Sequence, residues 1–233
     1  MNTLNLKIEG WQPFSLIDYP DTRAAIIFTK GCNFRCGYCH NPELACLAGS
    51  GAYSAEEILD FLQERVGKLE GLVITGGEPT LQPDLIPFMR LVKDIGYRIK
   101  LDSNGSNPKM LKQAVTEGLA DYVAMDIKAP IAKYREVSKY GGLIDNISES
   151  REFLLQNTVP YEFRTTVVKD QLTYEDFEQI GKEISGAQFY ALQKFIPSKT
   201  MDVSFLDRTG YSDDEMARIQ ELMSWYVSEC VVR

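Results

Sequence analysis

Short apolar runs rich in β-branched and aromatic residues recur along this chain at nearly regular intervals, and segments of helical period lie between them. The runs are Ala24 to Thr29, Gly71 to Thr75, Arg98 to Asp102, Asp121 to Asp126, Tyr161 to Val168 and Gln188 to Ile196. Six strands separated by helix-length connections leave little choice, because a connection that long returns the chain to a parallel neighbour and covers the sheet as it does so. The helices carry their own start and stop signals. Ser54 with Glu57 makes a capping box ahead of Ile58, Leu59 and Leu62. Pro83 is expected at a first helical position, with Leu85, Phe88, Met89, Val92 and Ile95 on one face and Gly96 as the stop. Asn107-Pro108 opens the next helix and Gly118 closes it, and further helices are expected over 148–156, 174–184 and 212–227.

A chain of 233 residues with this alternation fits an α/β fold that is either an open doubly wound sheet or a partial barrel. The placement of polar residues favours the second. Cys32 to Cys39 follow the first strand, Gly76-Gly77-Glu78-Pro79 follow the second, and Asp102-Ser103-Asn104-Gly105 end the third. Asp126 and Lys128 end the fourth, Arg164 and Thr166 lie in the fifth, and Gln193 and Lys194 lie in the sixth. In parallel sheets the carboxyl ends of the strands open on one face, so these groups are expected to converge. The expected architecture is a partial (βα)6 TIM-like barrel of parallel strands. One domain over 1–233 is expected, with a core over about 21–200, an N-terminal extension and a C-terminal helix.

Composition narrows the function. With 25 basic against 33 acidic residues the net charge is −8, which disfavours a nucleic acid partner and favours a protein or small molecule. No apolar stretch approaches the roughly 18 residues a membrane helix needs, and the first ten residues lack the pattern of a signal peptide, so a cytoplasmic address with no membrane partner is expected. The five cysteines, at 32, 36, 39, 46 and 230, are an odd number with three crowded together. Crowding of that kind points to metal binding rather than a disulfide framework.

The C-x3-C-x2-C run from Cys32 through Cys36 to Cys39 lets one loop wrap three soft thiolates around a small inorganic core. Zinc would need His40 or Cys46 as a fourth ligand, and the usual zinc pairs are C-x2-C twice. A purely electron-carrying cluster would recruit Cys46, and buried free cysteines grouped by chance are a further alternative. The remaining reading is an iron–sulfur cluster with one iron left open to a small molecule. Lys128 and Arg164 would suit an anionic carboxylate on that molecule. Glu78 and the carbonyls of Gly76-Gly77 would suit an ammonium, and Tyr38 offers an aromatic face to a flat base.

Cys32, Cys36 and Cys39, with Tyr38 before the last, resemble the signature of the radical S-adenosylmethionine superfamily, and Gly76-Gly77-Glu78-Pro79 resembles its second motif. The longer run from Gly31 to Pro42 is similar to the activating enzymes of glycyl radical enzymes. Phe14-Ser15-Leu16-Ile17-Asp18-Tyr19-Pro20 upstream is most similar to activators of anaerobic ribonucleoside-triphosphate reductase. The resemblance covers most of 11–200.

It implies a [4Fe–4S] cluster on Cys32, Cys36 and Cys39, with S-adenosylmethionine bound by Tyr38, Gly76, Gly77, Glu78, Pro79, Asp102, Ser103, Asp126, Lys128, Arg164 and Gln193. No catalytic side chain is implied beyond the cluster and the cofactor. Asp102, Ser103 and Asp126 match positions that hold a monovalent cation in the pyruvate formate-lyase activator, and Lys128 matches the lysine that meets the cofactor carboxylate. Gln193 stands where that activator has a histidine, which favours the reductase type. The implied partners are a glycyl radical enzyme, expected to be the anaerobic reductase, and an electron donor of flavodoxin or ferredoxin type.

Several residues read either way. Glu78 also suits a plain turn, Asp102 an Asx-turn and Asp126 a surface pair with Lys128. Arg35 can face solvent or neutralise the cluster, and His40 is expected to fix the loop or support the ligands. Cys46 and Cys230 are expected to be structural or incidental, and Trp11, Phe14 and Tyr19 to be packing. Three rival functions remain: activation of pyruvate formate-lyase or another glycyl radical enzyme, radical chemistry on a small molecule, and iron–sulfur electron transport without catalysis.

Overall fold

The structure, a computed structural model, describes residues 4–46 and 48–233. Eight strands form one sheet in the order of the sequence: β1 Ile8–Ser15, β2 Ala24–Thr29, β3 Gly71–Gly76, β4 Arg98–Ser103, β5 Tyr122–Asp126, β6 Tyr161–Val167, β7 Phe189–Lys194 and β8 Glu229–Val232. β1 pairs antiparallel with β2, and every later pair is parallel. The crossovers carry helices α1 Ala55–Glu64, α2 Leu85–Ile95, α3 Pro108–Thr116, α4 Tyr134–Ser138, α5 Asp145–Leu154, α6 Tyr174–Glu183 and α7 Asp213–Met223. A doubly wound sheet reverses its strand order at a switch point. Here the order never reverses, so the crossovers all run the same way and the sheet curls into a barrel. No ladder joins β8 to β1 among the described residues, and the barrel is partial.

Alternation along the strands sorts side chains between two environments. Ala25, Ile27, Leu72, Ile74, Ile99, Leu101, Val123 and Met125 belong to the large apolar core shared with the helices. Their neighbours Ala24, Ile26 and Val73 turn the other way and form a small separate cluster with Tyr19, flanked by Phe28 and Tyr122. By the same alternation Lys100 and Asp102 of β4, Asp126 of β5, and Glu162, Arg164 and Thr166 of β6 share the barrel's inner face. The inner face is therefore apolar under β2 and β3 and charged from β4 to β6.

The helices follow their local signals closely. Ser54–Glu57 is a complete capping box on α1, and Thr173–Asp176 and Ser212–Glu215 do the same for α6 and α7. Gly96 caps α2 in the left-handed region at φ 105°. The structure departs from expectation in several places, with eight strands where six were expected. Pro83 lies in a turn ahead of α2, whose N-cap is Asp84. α5 starts at Asp145 rather than Ser148, because Ile144 precedes it with no capping side chain to mark the boundary. The C-terminal segment is not one helix: α7 stops at Met223, and the chain turns through 224–228 to add β8 as a seventh parallel strand. The N-terminal extension supplies β1, whose Gly10 and Pro13 suit only an edge.

Candidate active site

The loop leaving β2 is fixed at its base by backbone hydrogen bonds, with the Gln82 amide donating to Lys30 O at 2.7 Å beside them. Gly31 N donates to Leu44 O at 2.6 Å, Glu78 N donates to Gly31 O at 2.7 Å, and Gly77 N donates to Thr29 O at 2.8 Å. This close approach explains the glycine pair. A Cβ on Gly77 would lie 2.2 Å from Gly31 O, and one on Gly76 would lie 2.4 Å from Thr29 N with φ at +112°. Further along, Phe34 N donates to the Cys32 sulfur at 3.3 Å and Cys39 N donates to Cys36 O at 3.0 Å. Arg35 turns its guanidinium back onto the carbonyls of Cys32 and Phe34, at 2.6 and 2.7 Å, so it braces the loop from outside the cavity lining.

The segment after β7 straps this loop from above. Asp202 N donates to Gly37 O at 2.9 Å, and the Phe205 ring sits over Gly37, where any Cβ would lie 2.3 Å from it. Phe205 also meets Tyr38 and Phe195, and Phe195 meets His40.

One cavity of about 300 Å³ lies across the strand tips. Its wall includes Cys32, Cys36, Tyr38, Cys39, Gly76, Gly77, Glu78, Pro79, Asp102, Ser103, Asp126, Lys128, Arg164 and Gln193, so the structure brings together every residue of the expected site. Phe34, His40, Asn41, Thr75, Asn104, Thr166 and Lys194 join them there. Thr166 and Lys194 were visible in the sequence as polar groups on strands. Asn104 was named among the polar residues ending the third strand but given no role; it contacts Cys32 and Asn33 through its side-chain amide and Glu78 through its backbone. Cys46 is exposed and absent from the wall, and Cys230 belongs to β8.

Glu78 is fully buried. Its carboxylate accepts from Thr80 N at 3.0 Å, Thr80 Oγ1 at 2.5 Å, Ser103 Oγ at 2.9 Å and Asn104 N at 2.6 Å. Burial pushes its carboxyl up, and these donors pull it back. Three of these donors fall on Oε1 and one on Oε2, so the side chain fastens the end of β3 to the end of β4.

The charged inner face forms one continuous network. Asp102 meets the Lys100 ammonium at 2.5 Å and Arg164 at 3.0 Å, while Asp126 meets Arg164 at 3.0 Å and Lys128 at 3.0 Å. Arg164 thus bridges both carboxylates. Register places it there, since Asp126 stands directly opposite Arg164 on the neighbouring strand. Burial opposes ionisation of Asp126, but Arg164 and Lys128 outweigh it and hold the carboxyl at about 2. Asp102 is lowered by the same balance, with Arg164 and Lys100 overcoming burial. Burial disfavours the Lys128 ammonium, yet Asp126 beside it keeps it charged.

The donor set at the loop is sulfur. Burial pushes the Cys32 thiol up to about 12 and raises Cys36 as well, so both are neutral thiols until a metal displaces their protons. Zinc draws its sulfurs to about 2.3 Å from one ion. Among the described residues, no three of His, Cys, Asp and Glu are gathered to hold a single metal ion. The three thiols line one wall of the cavity from a single loop, and three sulfur donors suit an iron–sulfur cluster.

The profile of the Radical SAM superfamily matches residues 26–184, from β2 into the turn after α6. The chain belongs to this superfamily and is an enzyme of it. A protein of Methanocaldococcus jannaschii named as a glycyl-radical enzyme activating enzyme is 35% identical over 97% of this chain and 95% of its own length. The pyruvate formate-lyase-activating enzyme of Clostridium pasteurianum is 33% identical over 52% of each chain. Among solved structures, QueE from Escherichia coli shares the fold at 16% identity, covering all of this chain and 92% of its own, with a TM-score of 0.52.

Proposed function

We propose that this enzyme activates a glycyl radical enzyme, and that its partner is anaerobic ribonucleoside-triphosphate reductase. Cys32, Cys36 and Cys39 would hold a [4Fe–4S] cluster, which would supply the electron for reductive cleavage of S-adenosylmethionine and so the radical chemistry that takes one hydrogen from a glycine of the partner. The observation that carries this reading is that these thiols share one cavity wall with the Lys128, Arg164 and Asp126 charges.

Lys128 meets the carboxylate of the cofactor, and its charge is secured by Asp126. Backbone carbonyls of Gly76-Gly77 accept from the amino group, and Pro79 starts the short turn that holds this loop in place. Tyr38 is buried beside Cys36 and Lys128 and would offer an aromatic face to the adenine. Gln193 reaches the same wall from β7, and a glutamine there supports the reductase over pyruvate formate-lyase as partner. The electron comes from a flavodoxin or ferredoxin-type donor, and no nucleic acid takes part.

Reconstitution with iron and sulfide without oxygen tests the reading. Addition of S-adenosylmethionine and a strong reductant is expected to release 5′-deoxyadenosine, and Cys36→Ala is expected to lose both iron and that product. A colourless protein that retains zinc would refute it. Mixing with the anaerobic reductase is expected to give the electron paramagnetic resonance doublet of a glycyl radical. A doublet with pyruvate formate-lyase alone would reassign the partner.

A further inference from the structure

Asp102, Ser103 and Asp126 occupy the positions at which a monovalent cation is expected beside the cofactor carboxylate. We infer that the chain supplies that positive charge itself, through the Lys100 ammonium and the Arg164 guanidinium, and works without a bound sodium or potassium ion. The inference takes the position of the cofactor from the reading above.

Each carboxylate oxygen that such an ion would use already faces a cationic side chain, so an added ion would meet a cation at every approach. The two oxygens of Asp102 face Lys100 and Arg164, and the two of Asp126 face Arg164 and Lys128, at 2.5 to 3.0 Å. Ser103 Oγ donates to Glu78 and accepts from Gly105 N at 3.0 Å. Lys100 is the unexpected member. It is only 2% exposed, and Asp102 is its ion-pair partner.

A long buried ammonium persists only where it compensates a charge, because burying it alone is expensive. Three cations face two carboxylates, and Glu162 on the same inner face is paired with Arg233, so one positive charge is left over. That is the charge needed to receive a single carboxylate. An added ion would sit against Arg164 and Lys128, where like charges in a partly buried site repel strongly.

The test compares the full reconstituted protein in potassium, sodium and choline chloride at equal ionic strength, with and without S-adenosylmethionine. For wild type, the thermal midpoint is expected to be the same in all three salts, and cofactor cleavage to vary by less than about two-fold, since no site is being filled. Lys100→Ala opens the second position on Asp102 and is expected to gain a midpoint rise of about 5 °C in potassium over choline, the size set by saturating a site in a chain of this length. A potassium- or sodium-specific rise in wild type overturns the inference. So does a Lys100→Ala protein that folds and stays indifferent to the ion. If Lys100→Ala does not fold, the wild-type comparison decides alone. The midpoints read ion binding directly, so a protein that never cleaves the cofactor would count against the proposed function and leave this result standing.

Discussion

Asp126 shows how one carboxylate can hold two cations in place. It pairs with Arg164 from the next strand and with Lys128 two residues along its own chain, and its carboxyl is held at about 2. An unfolded aspartate titrates near 3.9, so the folded state binds this proton more weakly than the unfolded one. The stabilisation is therefore complete above about pH 4 and is lost as the pH falls through the folded value. Asp126→Asn is expected to cost about 3 kcal/mol at pH 7, because it leaves two partly buried cations short of a partner. Urea unfolding should show the gap between variant and wild type closing between about pH 4 and 2. A gap that stays constant across that window would mean the pairing contributes nothing. None of this pairing was legible in the sequence beyond the suspicion that Asp126 meets Lys128. The bridge by Arg164 depends on register between β5 and β6, which local pattern does not specify.

The elements were legible wherever a boundary has its own chemistry. A capping box marked α1, and Gly96 marked the end of α2. β8 was missed because four residues are too few to establish a period of two, and β1 because its glycine and proline disguise an edge strand. The strap after β7 was missed for another reason: Val203–Asp207 is a single 3-10 turn whose purpose is visible only against Gly37. Phe205, 5% exposed, is the anchor of that strap. Phe205→Ala is expected to cost about 3 kcal/mol in thermal or denaturant unfolding, the usual loss for a buried aromatic. It should also speed loss of iron from the reconstituted protein in air, followed by the decay of the cluster's visible absorbance. Destabilisation without faster iron loss would show that the strap packs on the loop without protecting it.

At the scale of the molecule, the βα alternation dictated a parallel sheet, and polar residues gathered at the strand tips favoured both the barrel and the site, which is why both could be read without coordinates. Lys100 could not. It lies one pleat below the tips, and the sequence argument looked only at strand ends. The far edge was equally hidden. Arg233, following β8, reaches over β7 to Glu162 of β6 at 2.9 Å, and Glu162 is only 1% exposed. Arg233→Ala is expected to lower stability by about 2 kcal/mol, since it strips a buried carboxylate of its counter-charge while removing a side chain that is itself half in water. Equilibrium unfolding of the two proteins at pH 7 would measure this, and equal midpoints would show that Glu162 finds another partner.

The wall of the cavity is drawn from residues 32 to 194, in the same order in which a ribosome makes them. Within the wall the thiols are made first and Gln193 and Lys194 last. Until the chain has been made through Phe205 the cysteines have neither the Arg164 side of the cavity nor the strap over Gly37. Iron delivered before then would meet open thiols in water, so the cavity can enclose it only after that point.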